Sequence, residues 1–223
     1  MSFLSYLING ISLGSVYAII ALGYTMVYGI ARMLNFAHGD IIMVGGFVIF
    51  TMVSTLGLPP MVGVLVAVIA CTVLGVVIER VAYKPLRGAS SLAVLITAIG
   101  VSYLLQNVAL LIFGSNARQF TSVVNVPSLK LAGGALSISG VTLVTIITCI
   151  VIMVALTTFI NKTRVGQAML AVSEDTGAAT LMGINVNSTI AITFAIGSAL
   201  AAVAGALLCS AYPSLTPYTG SMP

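Results

Sequence analysis

The chain has 223 residues, of which 5% are charged and 60% hydrophobic, and it carries a net charge of +4. An ordinary soluble domain has roughly a quarter charged residues, so this composition excludes a soluble enzyme or binding module and describes an integral membrane protein. The small positive balance bears on topology and gives no reason to invoke nucleic acid.

Uncharged runs cover residues 1–31, 41–78, 88–117, 131–161 and 176–223. About 20 apolar residues cross a bilayer core as a helix. The 41–78 run is long enough for two spans, and Gly57-Leu58-Pro59-Pro60 breaks it at a turn. Six spans are therefore predicted: Leu4 to Tyr28, Ile41 to Leu56, Met61 to Ile78, Leu92 to Phe113, Val141 to Ile160 and Ile190 to Leu208. These runs are apolar throughout and lack the period-two alternation of a membrane β-barrel. The fold class is thus an all-α polytopic bundle, with a discontinuous helix or turn near residues 33–40, forming one transmembrane domain over 1–223.

The first span begins with MSFLSYLING, which has no basic n-region and no cleavage-type site. It reads as an uncleaved helix. Cys71, Cys149 and Cys209 lie in or at the ends of different spans without metal-ligand spacing, so they read as packing residues and no metal site is expected. Gly10 and Gly14 in the first span, and Gly197, Ala201 and Gly205 in the last, fall at helical spacing. Such small residues let helix backbones approach closely in lipid. Packing inside the bundle is the expected role, with contact to a second membrane subunit as the alternative.

Orientation follows from the basic residues, which concentrate in short cytoplasmic loops. Placing the loop around Arg80, Lys84 and Arg87 inside puts Arg32, Lys162 and Arg164 inside as well, and leaves Arg118 and Lys130 outside. The N-terminus is then outside, as is a C-terminal tail beginning near Cys209.

Apart from Asp40 at a boundary, no span carries a carboxylate. Ion or proton coupling usually needs ionisable groups within the spans, so a coupled carrier is disfavoured. One histidine without a neighbouring Cys or Glu supplies neither a nucleophile with its base nor a metal cluster, so no catalytic residues and no cofactor are expected. A G-x-x-x-x-G-K-[ST] phosphate loop is also missing, and this chain cannot itself hydrolyse ATP.

The segment from Asn161 to Thr189 is the longest on the cytoplasmic side. A short helix is predicted over 173–183, with Ser173 as its cap, Glu174 and Asp175 at the positive end of its dipole and Gly183 as its stop. The small Ala178 and Ala179 would let it seat in a groove on a soluble partner, and an interfacial linker helix fits as well.

Here the sequence becomes specific. Ala178, Ala179 and Gly183 follow the spacing of the coupling loop of ABC-importer permeases, in which Glu-Ala-Ala is followed three residues later by Gly, although Gly177 stands in place of the Glu. ARMLNFAHGDIIMVGGF, VIERVAYKPLRG, LITAIGVSYLLQNVALLIFGSNAR, LMGINVNSTIAITFAIGSALAAVAGAL and YPSLTPYTGSMP resemble branched-chain amino acid ABC-transporter permeases of the leucine/isoleucine/valine uptake type, over nearly the whole chain. The resemblance implies a bacterial inner-membrane subunit that pairs with a second, related permease. It also implies two cytoplasmic ATP-binding subunits, a periplasmic substrate-binding protein and docking of Glu174 to Gly183 on an ATPase. Family members continue beyond a segment like YTGSMP into further helices, so this chain is expected to be truncated at its C-terminus. Related permeases for urea, amides or other amino acids share the machine. An ATP-independent channel and a purely structural membrane subunit are the readings of another class.

The stretch MLNFAHGDIIMVGG, residues 33–46, gathers Asn35, Phe36, His38, Gly39 and Asp40 between two apolar segments. A broken helix there would line a substrate pathway with backbone and side-chain polar groups. A plain cytoplasmic turn is equally open, with Asn35 or His38 capping a helix and Asp40 near the start of the second span. A zwitterionic aliphatic substrate needs polar partners for its ammonium and carboxylate and an apolar wall for its side chain. His38 is expected to hydrogen-bond a backbone carbonyl at the break. A pH switch at His38 is the weaker reading, because no second titratable partner is visible in the spans.

Overall fold

The computed structural model describes residues 2–124, 126–131 and 136–221. Six of its helices are long and apolar enough to cross a membrane. The first, α1, runs over Ser2–Ala31, and α2 over Ala37–Phe50, extended by a π-helical turn at Thr51–Thr55. The third, α3, spans Pro60–Ile78 and continues through a π-helical turn, Glu79–Tyr83, and a 3-10 turn, Lys84–Leu86. Then come α4 at Ser91–Phe113, α5 at Gly140–Lys162, the short α6 at Arg164–Glu174 and α7 at Thr176–Leu181, and finally α8 at Val186–Ala211.

Local chemistry sets the helix ends. Pro60 opens α3, where its missing N–H costs nothing. The Ser90 Oγ accepts from the Ala93 N–H at 3.4 Å to cap α4. The Asn185 Oδ1 accepts from the Ser188 N–H at 3.0 Å, so α8 starts four residues before the predicted Ile190. Gly57, Gly114 and Gly183 take positive φ at the turns after their helices.

The central element is α8, packed against α1, α2 and α3. Small residues make this possible. A Cβ added at Gly197 would lie 2.9 Å from the Val27 side chain, and one at Gly205 would lie 2.6 Å from the Ile42 carbonyl. Ala201 is fully buried between them. Gly10 and Gly14 behave differently: both are exposed, with no atom near the position of a Cβ, so they make no packing contact in this bundle. The three cysteines are free and buried.

Two short antiparallel ribbons were not predicted. Arg118–Gln119 (β1) pairs with Ser214–Leu215 (β4), and Leu129–Leu131 (β2) with Leu136–Ile138 (β3). The first of these directs the tail. After α8 ends at Ala211 the chain pairs with β1 and then turns back along α2. Leu215 lies against Gly46, and Gly220, the middle residue of a 3-10 turn at Thr219–Ser221, lies backbone to backbone against Gly39. The seven residues from Gly46 to Gly39 correspond to about 10 Å of helix. The tail therefore descends along the bundle instead of remaining at its surface, and the lack of side chains at Gly39 and Gly220 permits that approach.

Candidate functional site

The link between α1 and α2 is a true helix break. Arg32 adopts φ 53° directly after α1, and residues 32–35 have no regular structure. His38, in the first turn of α2, packs against Gly23 of α1. Gly23 is eight residues before the end of α1, so α2 begins about 12 Å back along the bundle from that end. The 35–40 cluster thus lies roughly two helical turns inside, where a surface turn would not reach. Neither Asn35 nor His38 caps α2, whose preceding residue Phe36 makes no side-chain cap.

Each polar residue of the stretch has a defined setting. Asn35, His38 and Asp40 are all 2% exposed. The Asn35 Oδ1 accepts from the Tyr83 hydroxyl at 2.9 Å, and the Asp40 Oδ1 accepts from the Gln106 Nε2 at 3.0 Å. The His38 ring meets the backbone carbonyl of Ile20 in α1, and its Nε2 has no hydrogen-bond partner. Tyr24 packs edge-on to that ring at 6.1 Å between centroids.

Asn35, Phe36, His38, Gly39 and Asp40 all line one cavity of about 810 Å³ between α1, α4 and the first turn of α2. Its walls are Tyr17, Ile20 and Tyr24 from α1, Ile99, Ser102, Tyr103 and Gln106 from α4, and Tyr218 and Gly220 from the descending tail. A second cavity of about 340 Å³, lined by Tyr28, Arg32, Leu34, Arg87 and Leu95, lies between the same two helices toward the end of the bundle that carries the basic loops. The α4 and tail residues were not identified from the sequence. The available signal was the i, i+4 pair Ser102 and Gln106, whose side chains hydrogen-bond at 3.2 Å on one face of an uncharged span.

At that basic end Arg87 pairs with the buried Glu79 and also donates to Asn187, tying the α3 extension to the start of α8. Arg32 donates to the carbonyls of Ser173 and Glu174 at 2.7 and 3.2 Å. Here the predicted 173–183 helix is corrected. Ser173 lies in the last turn of α6, where its hydroxyl bonds the Leu170 carbonyl, and Glu174 ends that helix. Asp175 is the cap: its Oδ1 accepts from the Gly177 and Ala178 amides at 2.7 and 3.0 Å. The Ala178 and Gly177 N–H bonds hold its carboxyl below the usual carboxylate range.

Glu174, Asp175, Ala178 and Gly183 are exposed. Ala179 is 3% exposed and packs inward, so it offers nothing to a groove on a partner. The apolar groups that project are Leu181 and Met182, 89% and 83% exposed, which the sequence reading passed over. Among the described residues no cluster of His, Cys, Asp and Glu could hold a metal ion.

Residues 6–222 match the family model for the branched-chain amino acid transport system / permease component. The chain is 42% identical to the high-affinity branched-chain amino acid transport system permease protein LivH of Escherichia coli (strain K12), over 99% of this chain and 75% of that one. It is 40% identical to BraD of Pseudomonas aeruginosa, described in the same words, over 98% and 74%. A probable LivH of Methanocaldococcus jannaschii is 28% identical over 92% and 65%. No solved structure matches. Six long apolar helices and a full-length family match lead to one conclusion: this multi-pass membrane protein belongs to the permease components of branched-chain amino acid transport systems.

Proposed function

We propose that this permease is one of two related membrane subunits of an ABC importer of the inner membrane. It would carry branched-chain amino acids inward from a periplasmic binding protein, driven by two cytoplasmic ATPases. The observation that carries the reading is the cavity at the α1–α2 break. It combines a buried carboxylate, amides and hydroxyls with tyrosine and isoleucine walls, the mixture that a small zwitterion with an aliphatic side chain requires. Asn35, Phe36, His38, Gly39 and Asp40 are the pathway residues of this proposal.

ATPase docking is assigned to the exposed surface of α6 and α7, including Glu174, Asp175, Ala178 and Gly183. The projecting Leu181 and Met182 support it, since apolar anchors at the centre of a patch carry most interface energy. The concentration of Arg32, Arg80, Lys84, Arg87, Lys162 and Arg164 at one end of the bundle supports a cytoplasmic position for that surface and an outside N-terminus.

The test is uptake of labelled leucine by proteoliposomes holding the complete complex, with the binding protein outside and ATP trapped within. Uptake that needs ATP and is competed by isoleucine and valine is expected. A complex with ATPase activity that takes up urea or an amide instead would keep the machine and replace the substrate. Uptake without ATP would put a channel in place of the importer.

A further inference from the structure

Asp40 stands apart from every other carboxylate in the chain. Glu79, equally buried, is neutralised by Arg87, and Glu174 and Asp175 are in solvent. Asp40 lies two turns inside the bundle with no basic side chain in ion-pair contact among the described residues. Its hydrogen bonds come from Ser102 and Gln106, and the Gln106 Nε2 also reaches the Ser102 hydroxyl.

Two features favour a negative charge at that position. Asp40 occupies the first turn of α2, where the positive end of the helix dipole stabilises an anion. The Gln106 amide directs a donor at it. Both supply only partial positive charge, and an ionised group at this depth is costly until a full cation meets it. An unpartnered buried polar atom, the His38 Nε2, lies in the same wall. The protein therefore presents a buried carboxyl that no cation balances to a cavity large enough for an amino acid.

We infer that Asp40, positioned by Gln106, is the subsite that binds the ammonium group of the transported amino acid. The inference rests on the importer reading above and adds the residue that would hold the cationic end of the substrate. Tyr24 and Ile20 also line the cavity and would take the aliphatic part.

Charge at the site is read independently of transport. Ala21, an exposed residue of the cavity wall, is replaced by cysteine in the complete complex, with Cys71, Cys149 and Cys209 changed to alanine. Labelling of this subunit by an ethylammonium and an ethylsulfonate methanethiosulfonate is followed by mass spectrometry, each rate normalised to a free thiol. The cationic reagent is expected to be favoured about ten-fold, in line with field focusing in a charged cleft. Asp40→Asn should remove that preference, Asp40→Glu should keep it and Gln106→Leu, which takes away a donor to the carboxylate, should lower it.

In parallel, Asp40→Asn should lower leucine uptake roughly thirty-fold or more, as for loss of one member of a buried charge pair, with binding-protein-stimulated ATPase activity retained. A labelling ratio that Asp40→Asn and Gln106→Leu both leave unchanged would overturn the inference, and so would wild-type uptake by Asp40→Asn. If Asp40→Asn does not assemble, the Gln106→Leu ratio decides: a fall supports the inference and no change overturns it. A wild-type complex that takes up no leucine at all would remove the branched-chain amino acid reading, while the labelling ratio would still decide whether the cavity holds a cation subsite.

Discussion

The Tyr83 hydroxyl donates a 2.9 Å hydrogen bond to the Oδ1 of Asn35, joining the π-helical turn after α3 to the break between α1 and α2. Tyr83 is among the largest fully buried side chains, and its ring packs on Phe194 of α8 at 5.2 Å. Irregular backbone this deep needs such partners, because lipid offers none. Tyr83→Phe keeps the packing and leaves a buried amide oxygen without its donor. A loss of about 1–3 kcal/mol is expected, seen as a lower melting temperature of the purified complex. An unchanged melting temperature would mean that Asn35 is satisfied in another way.

Gly39 and Gly29 should respond to alanine in opposite directions. A Cβ at Gly39 would overlap the Gly220 carbonyl, whereas nothing surrounds the Cβ position of Gly29 in α1. Gly39→Ala should cost about 1–3 kcal/mol through overpacking and reduce uptake by displacing the descending tail. Gly29→Ala, in an exposed helix interior, should be neutral or stabilise by up to about 1 kcal/mol. Thermal unfolding of the two variants side by side checks the prediction, and equal behaviour would argue against the Gly39–Gly220 contact.

Glu79 is 1% exposed and relies on Arg87, itself partly buried. Arg87→Gln should destabilise by about 3–5 kcal/mol, because it strands a buried charge. The double variant Glu79→Gln, Arg87→Gln removes the charge as well and should recover much of that loss. Folded yield and melting temperature of single and double variants give the coupling directly. Additive losses would show that the two charges do not depend on each other.

At the docking surface, Leu181→Asp with Met182→Asp alters two exposed side chains and should leave insertion and folding intact. Capture of the ATPase subunits should fall by at least about thirty-fold, the scale of a 2 kcal/mol hot spot. Ala179→Arg is expected to fail earlier, in folded yield, because the site is buried. Co-purification at normal levels with the double aspartate variant would move docking away from α7.

Much of this protein was legible in its sequence. The six spans follow from apolar length, because a bilayer admits only segments that satisfy their own backbone, and the observed helices overlap every predicted span. The small-residue ridge of α8 was legible too, since Gly197, Ala201 and Gly205 recur at helical spacing. The same pattern misled in α1, where Gly10 and Gly14 face open space. Spacing identifies a face and does not say what lies opposite.

Only the tertiary structure could decide what was opposite. It set the depth of the 35–40 stretch, because depth comes from His38 seating on Gly23 of another helix. It brought Gln106, 66 residues away, to Asp40, and turned the tail inward where two glycine backbones could meet. It also sent Ala179 inside and left Leu181 and Met182 outside, a choice that local helix propensity cannot make. Backbone self-sufficiency in lipid is a property of each segment by itself, whereas burial and pairing depend on the neighbours that the whole fold supplies.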